Sequence, residues 1–387
     1  MFKVVYTAKD VSQKEVFMPN KKVLSVFGTR PEATKMVPLV LAMQEDAQID
    51  SFVCVTAQHR ELLDQVLTPL AIKPDYDLNI MTIGQSLTDI TNRVLVGLAP
   101  ILKEVQPDLL LVHGDTTTTF AAALAAFYAK VSVGHVEAGL RTYDKYRPYP
   151  EEVNRKLVTS LADLYFAPTN QARDNLLKEN VQDSAIFVTG NTAIDFLKYT
   201  VAENYTFECE ALNHLDFNKR ILLMTAHRQE NLGQPMENIC HAVKKLVDNF
   251  NDTILVWPVH PNKLVKEVAH RILSGHDRIL LTEPISPFDM SNMMKRAHLL
   301  LTDSGGLQEE APAFDLPVIV LREVTERPEG ITAGTLVLAG VDEESIYNHA
   351  FQLMTDQAAY KKMAQAVNPF GDGHASLRII KAINSVK

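Results

Sequence analysis

The stretch Leu109–Leu124, LLLVHGDTTTTFAAAL, sets a histidine, an aspartate and four threonines between one apolar run and another. The aliphatic run shows no polar alternation, which is the mark of a strand buried on both faces and so of a parallel sheet covered by helices. The threonines open the following helix, where their hydroxyls can cap its free amides or bond a ligand. His113 and Asp115 are thereby placed at the mouth of a buried strand, where open α/β sheets hold their ligands.

The same pattern recurs in both directions. KVLSVFG, FVCVTA, VSVGHVEA, LYFAPT and AIFVTG read as further strands of the first half, separated by helical segments such as LTDITNRVLVGLAPILKEV. RILLMTAH, TILVWPVH, RILLTEP, HLLLTDS and PVIVLR repeat the theme in the second half, interleaved with helices such as MENICHAVKKLVDNF. A chain of 387 residues exceeds what one core usually supports. The expected fold class is therefore α/β, with two doubly wound Rossmann-like domains, parallel sheets and a cleft between them. Residues 1–20 form an N-terminal extension, 21–200 the first domain, 201–368 the second, and 369–387 a C-terminal helix expected to pack back on the first domain. The polar, mixed segment from about Leu197 to Asn218 is the candidate linker.

Composition narrows the function. With 46% hydrophobic and 22% charged residues, the chain has material for large aliphatic cores. A formal net charge of -9 argues against a nucleic-acid partner, since phosphate backbones are held by clustered Lys and Arg. Cys54, Cys209 and Cys240 are scattered without metal or disulfide spacing, which suits a reducing compartment. No apolar run reaches the ~20 residues of a membrane-spanning helix, and the first 20 residues lack the apolar stretch of a secretory signal. The expectation is a cytoplasmic protein with no membrane partner.

Polar residues concentrate where the strands end. TDSGGLQEEAP has the form strand, small-residue turn, helix, so Ser304, Gly305 and Gly306 would let backbone amides approach an anion, with Glu310 nearby for ribose hydroxyls. An ordinary helix cap is the plainer alternative. GTRPEATKM has the same shape: Pro31 suits a first helical position, and Arg30 and Lys35 face outward for a diphosphate, although Lys35 alone could merely decorate a helix face. HVEAGLRTYDKYRPYPEEVNRK contributes Glu137, Arg141, Glu151, Glu152 and Arg155. Glu137 stands out because it ends an aliphatic strand, where an unpaired carboxylate is costly unless a ligand or partner meets it. TAHRQEN and PVHPNK place His227 and His260 at successive strand ends, suited to acid/base chemistry or phosphate contact. Neither histidine has metal-ligand spacing, so no metal site is assigned. GxGxxG after the first strand and GxxxxGK[ST] are both absent, which removes the main support for dinucleotide and P-loop readings.

Taken together, GTRPEATKM, TAQHRELLDQ, HGDTTTT, HVEAGLRT, PEEVNR, TAHRQENLG, TDSGGLQEEAP and TERPEGITAGT resemble the non-hydrolysing UDP-N-acetylglucosamine 2-epimerases, in family order from about Lys22 to the last helix. The resemblance implies a GT-B type fold, with the nucleotide held mainly by the second domain, and a homodimer. It implies interconversion of UDP-N-acetylglucosamine and UDP-N-acetylmannosamine through elimination of UDP and re-addition to a glycal, with no metal or other cofactor, supplying units for bacterial cell-surface polysaccharide. By the same resemblance Asp115, Glu137, Glu151 and His227 are the catalytic set, with base and acid left open among the carboxylates. Arg30, Lys35, Ser304, Gly305, Gly306, Glu310 and Arg327 match substrate-binding positions, and Phe288 neighbours the uracil. Gln58, Arg228 and His260 match a second, activating nucleotide-sugar site found in some bacterial members. A hydrolysing epimerase, a GT-B glycosyltransferase and a nucleotide-sugar binding protein are the competing readings; they differ in releasing free sugar, requiring an acceptor, or leaving the C2 hydrogen unexchanged.

Overall fold

The computed structural model describes residues 20–58, 60–82 and 84–386; residues 1–19 of the N-terminal extension lie outside them. The aliphatic runs form two sheets in which every pairing is parallel. The first contains β1 (Lys21–Phe27), β2 (Ile49–Val55), β3 (Tyr76–Asp77), β4 (Leu109–His113), β5 (Ser132–Val136), β6 (Leu164–Ala167) and β7 (Ile186–Val188), in the order β3-β2-β1-β4-β5-β6-β7. The second contains β8 (Arg220–Thr225), β9 (Thr253–Pro258), β10 (Ile279–Thr282), β11 (Leu299–Thr302), β12 (Val318–Val320) and β13 (Leu336–Leu338), in the order β10-β9-β8-β11-β12-β13. Two doubly wound domains of the Rossmann type result. Their strand order reverses between β1 and β4, and again between β8 and β11, which puts the ligand crevice beyond the carboxyl ends of those four strands.

Both faces of each sheet are covered, as the unbroken apolar runs require. Val23, Val53, Leu109 and Leu111 meet Met36, Leu39 and Val40 of the helix Arg30–Gln44 on one face of the first sheet. Leu24, Val26, Leu110 and Val112, one residue on, meet Val94 and Leu98 of the helix Leu87–Val105 on the other. The second sheet repeats this, with Leu222, Met224 and Trp257 against the helix Gln234–Asn249 and Ile221, Leu223 and Val256 on the opposite side.

Residues 201–218 run from the first sheet to the second and are pinned to the latter. Asp289 accepts hydrogen bonds from the Tyr205 hydroxyl at 2.9 Å and from the backbone amides of Glu208 and Cys209 at 3.0 and 2.9 Å. The last helix, Ala375–Ser385, returns to the first domain, where Ile379, Ile380 and Ile383 enter the core beside the helix Arg30–Gln44. Asp195 fixes its start, accepting from the amides of Ala375 and Ser376 at 3.1 and 2.8 Å. No helix among the described residues is long and apolar enough to cross a membrane.

Candidate active site

The entry to the first domain's crevice is built around a buried carboxylate. Thr29 caps the helix Arg30–Gln44, and Glu32 at its third position closes a capping box by accepting from the amides of Thr29 and Gly28 at 2.8 and 3.0 Å. The other Glu32 oxygen accepts from the hydroxyls of Thr116 and Thr119, 2.7 and 3.1 Å away, so one side chain ties the turn after β1 to the turn after β4. Gly28 is required there, because a Cβ would lie 1.9 Å from Thr56 Oγ1. Thr116 caps the next helix, Thr117–Tyr128, as its place in the sequence suggested. This scaffold sets Lys35 in the crevice, with Arg30 at the first position of the same helix. Arg30 makes no hydrogen bond or ion pair among the described residues, and burial lowers its pKa.

Glu137 lies at the centre. Its backbone sits in the left-handed region at φ +61°, a strained conformation for a glutamate that holds the side chain beyond the end of β5. Lys35 Nζ pairs closely with its Oε1, and Asn191 Nδ2 donates to the same oxygen at 3.0 Å. Among the described residues none donates a hydrogen bond to Oε2, which lies 3.5 Å from His113 Nε2. Burial works against ionisation, but the charges of Lys35 and His113 and the Lys35 hydrogen bond outweigh it and hold the Glu137 carboxyl below its ordinary range. His113 is driven the other way: burial pushes its imidazole down to about 3, and neither ring nitrogen has a hydrogen-bond partner among the described residues. Lys35, His113, Asp115, Glu137, Arg155 and Arg327 line one cavity of about 150 Å³ between the domains.

Asp115 is held by Arg155, whose Nε and Nη2 approach its Oδ2 at 2.9 and 2.7 Å. Glu151 opens the helix Glu151–Leu161 with one oxygen buried and unpartnered, and burial first, then the charge of Asp115, raises its pKa. The neighbouring Glu152 and Arg141 are structural. Glu152 accepts from the amides of Thr142 and Tyr143 and from Arg155, while Arg141 forms a two-pronged pair with Glu179 at 2.8 and 2.6 Å.

The second domain answers with Asp303, fully buried after β11. Its Oδ2 accepts from the amides of His227 and Arg228 and from Asn231 Nδ2 at 2.7, 2.8 and 3.0 Å, and its Oδ1 lies 3.0 Å from His227 Nδ1. His227 is thereby oriented, its other ring nitrogen bonded to none of the described residues, and its ring stacks on that of His260 at 5.4 Å between centroids. Ser304 occupies the cap position of the short helix Gly305–Glu310, yet its hydroxyl caps nothing. A Cβ at Gly305 would stand 2.8 Å from the Arg327 guanidinium, so a side chain there would displace Arg327. Arg327 donates to Glu309 and Glu326 at 2.7 and 2.8 Å. Glu310 is pushed up to about 8 by burial and by the adjacent charge of Glu309.

The structure thus gathers Lys35, Asp115, Glu137 and Arg327 around one cavity and sets His227 beside the turn that follows β11. Phe288 is buried edge-on against Phe196 at the junction of the domains. Gln58 accepts from Thr118 in the first domain, whereas Arg228 and His260 belong to the Asp303 cluster in the second. Glu32 lies within GTRPEATKM and Asp303 and Glu309 within TDSGGLQEEAP, with no local signal marking them, and Asn191 directly follows the AIFVTG run. Among the described residues, no group of three or more His, Cys, Asp or Glu side chains is placed to hold a metal ion.

Known proteins share this fold. A family model described as UDP-N-acetylglucosamine 2-epimerase matches residues 41–384. The Bacillus subtilis UDP-N-acetylglucosamine 2-epimerase is 57% identical over 366 residues, covering 95% of this chain and 96% of its own. An S. aureus protein solved with UDP is 53% identical with a TM-score of 0.84, covering 94% of this chain and 96% of its own. The Neisseria meningitidis UDP-GlcNAc 2-epimerase, solved with UDP-GlcNAc bound, is 45% identical with a TM-score of 0.86, covering 94% and 100%. With the matched model spanning most of its length, the chain belongs to the UDP-N-acetylglucosamine 2-epimerase family.

Proposed function

We propose that the chain interconverts UDP-N-acetylglucosamine and UDP-N-acetylmannosamine by eliminating UDP and adding it back to an enclosed glycal, without hydrolysis. The C2 hydrogen of the sugar is not adjacent to a carbonyl, so it becomes acidic only as the C1–oxygen bond breaks. A base takes the C2 proton, the C–H pair forms the C1–C2 double bond, and the C1–oxygen pair departs with UDP. Addition of a UDP oxygen to C1, with a proton delivered to the other face of C2, completes the inversion.

One observation carries this reading: a buried carboxylate, Glu137, has one oxygen tied by Lys35 and Asn191 and the other unbonded, in a cavity between domains. Such a group is a base held in its ionised form. Glu151, whose environment favours the protonated form, sits with Asp115 as the second proton-transfer centre. Arg30, the amides of the Ser304–Gly306 turn and His227 would stabilise the departing diphosphate, and Glu310 would accept from the ribose hydroxyls. Contacts across the cleft, Asn191 to Glu309 at 2.6 Å and Thr169 to Glu329 at 2.8 Å, favour keeping water from the glycal.

The family resemblance extends the proposal to a cytoplasmic homodimer supplying bacterial cell-surface polysaccharide. It also suggests activation by a second nucleotide sugar on Gln58, Arg228 and His260; equal initial rates of UDP-N-acetylmannosamine turnover with and without a trace of the other epimer would contradict that part. Proton NMR of the products tests the main claim. Both nucleotide sugars should accumulate to a constant ratio, whereas stoichiometric UDP and free N-acetylmannosamine would establish a hydrolysing enzyme instead.

A further inference from the structure

Asn191 follows β7 and is buried, and the reaction as derived above gives it no proton to move. Its side-chain oxygen accepts from the amide of Ala193 at 2.9 Å and caps the helix Thr192–Thr200. That bond fixes which way the amide faces, so the two hydrogens on Nδ2 must point away from the helix. Each finds a carboxylate: Glu137 Oε1 at 3.0 Å in the first domain and Glu309 Oε2 at 2.6 Å in the second. Glu309 is held in turn by Arg327 Nε at 2.7 Å, and its backbone oxygen accepts from Asn368 at 3.1 Å. The amide of Asn191 itself donates to Phe370 at 2.7 Å. A continuous chain of donors and acceptors, Arg327, Glu309, Asn191, Glu137 and Lys35, therefore crosses the cleft, and Asn191 is its only uncharged member.

We propose that Asn191 is a positioning residue that couples approach of the two domains to the orientation of the Glu137 carboxylate. The inference rests on the reading of Glu137 as the group that takes the C2 proton. With the second domain in place, Glu309 draws Nδ2 into its bridging position, and Asn191 and Lys35 together occupy Oε1, leaving Oε2 as the oxygen that meets the substrate. When the domains part, Glu309 withdraws and the bridge loses one end. A neutral amide suits this position because a carboxylate there would face two others. A cap alone would be served equally by Asp or Ser.

That equivalence supplies the test. Asn191→Ser and Asn191→Asp both retain a capping oxygen but remove the bridge, and the second adds a negative charge beside Glu137. Steady-state turnover of UDP-N-acetylglucosamine is measured from pH 5 to 9 for both, with Glu137→Gln alongside. Lys35, His113, His135, Glu309 and Arg327 face Glu137 and are unchanged in the two Asn191 variants, so a shift reports the lost donor. The expected result is a kcat lower by roughly 10- to 100-fold, the scale of a small misplacement of a catalytic group, with KM little altered. The acidic limb of kcat, which the wild type shows only at or below the acid end of this range because Glu137 is held ionised, should move to higher pH in Asn191→Ser and further in Asn191→Asp, because losing a donor or gaining a like charge disfavours the ionised carboxylate. Wild-type kcat with a superimposable acidic limb in the Ser variant, while Glu137→Gln is inactive, would overturn the role of Asn191 and leave that of Glu137 standing. Full activity in Glu137→Gln would instead remove the reading on which the inference rests.

Discussion

Glu137 shows how a single position serves two opposed requirements. Its carboxyl is buried, which favours the neutral form, yet Lys35 and Asn191 both donate to it and keep it charged. Glu137→Gln keeps the shape and loses the charge, so turnover should fall at least ~100-fold with the fold intact; Asp115→Asn, which leaves Arg155 without its ionic partner, should do the same. Circular dichroism and initial rates on both variants check this, and wild-type rates in both would remove the assignment. Glu310 offers a second prediction with a defined sign. Its folded-state pKa, about 8, lies above the ordinary 4.5, so the folded protein retains a proton that the unfolded chain releases. Stability is therefore unpenalised below pH 4.5 and declines as pH climbs toward 8. Glu310→Gln should raise Tm by about a few degrees at pH 8, with the gain vanishing near pH 4.5, while UDP binding weakens; calorimetry across that range would expose a pH-independent gain as a contradiction. Residue roles were only partly legible beforehand. Lys35 could be read as helix decoration because its partner, Glu137, lies 102 positions away and no local pattern announces the pair.

At the scale of elements, the unbroken aliphatic runs were enough to place eleven strands, since burial on both faces leaves a continuous apolar signature. β3 and β13 escaped because an edge strand of two or three residues needs no such run. Strand ends were legible as sites, but not which of their side chains turn inward: TDSGG drew attention to Ser304, whereas the neighbouring Asp303 organises the histidine. The capping box of the helix Arg30–Gln44 illustrates the difference between a helix signal and a site. Glu32 does more than close the box, because the Thr116 and Thr119 hydroxyls also converge on it. Glu32→Ala would leave these donors and the Gly28 and Thr29 amides without their acceptor, at a cost of roughly 2–4 kcal/mol. Denaturant titration should show that loss together with a raised KM, since Arg30 and Lys35 ride on the same helix; an unchanged midpoint would contradict the clamp.

For the whole molecule, the two sheets repeat one topology, and each contributes the residues at its point of reversal to the same cleft. Glu137 and Lys35 come from the first, Arg327 and Glu309 from the second, and Asn191 joins them. The return of the last helix to the first domain, anchored by Asp195 and Ile383, gives the chain a second crossing. That the runs would sort into two domains was evident from length and periodicity; which residues would meet across the cleft was not, because such contacts depend on how the domains are set against each other. The central claim is that C2 loses its proton to the protein while UDP is detached. Incubation with UDP-N-acetylglucosamine in deuterium oxide, followed by proton NMR, tests it most directly. UDP-N-acetylmannosamine should appear with deuterium at C2; an epimer that forms while retaining its original C2 hydrogen would contradict the account.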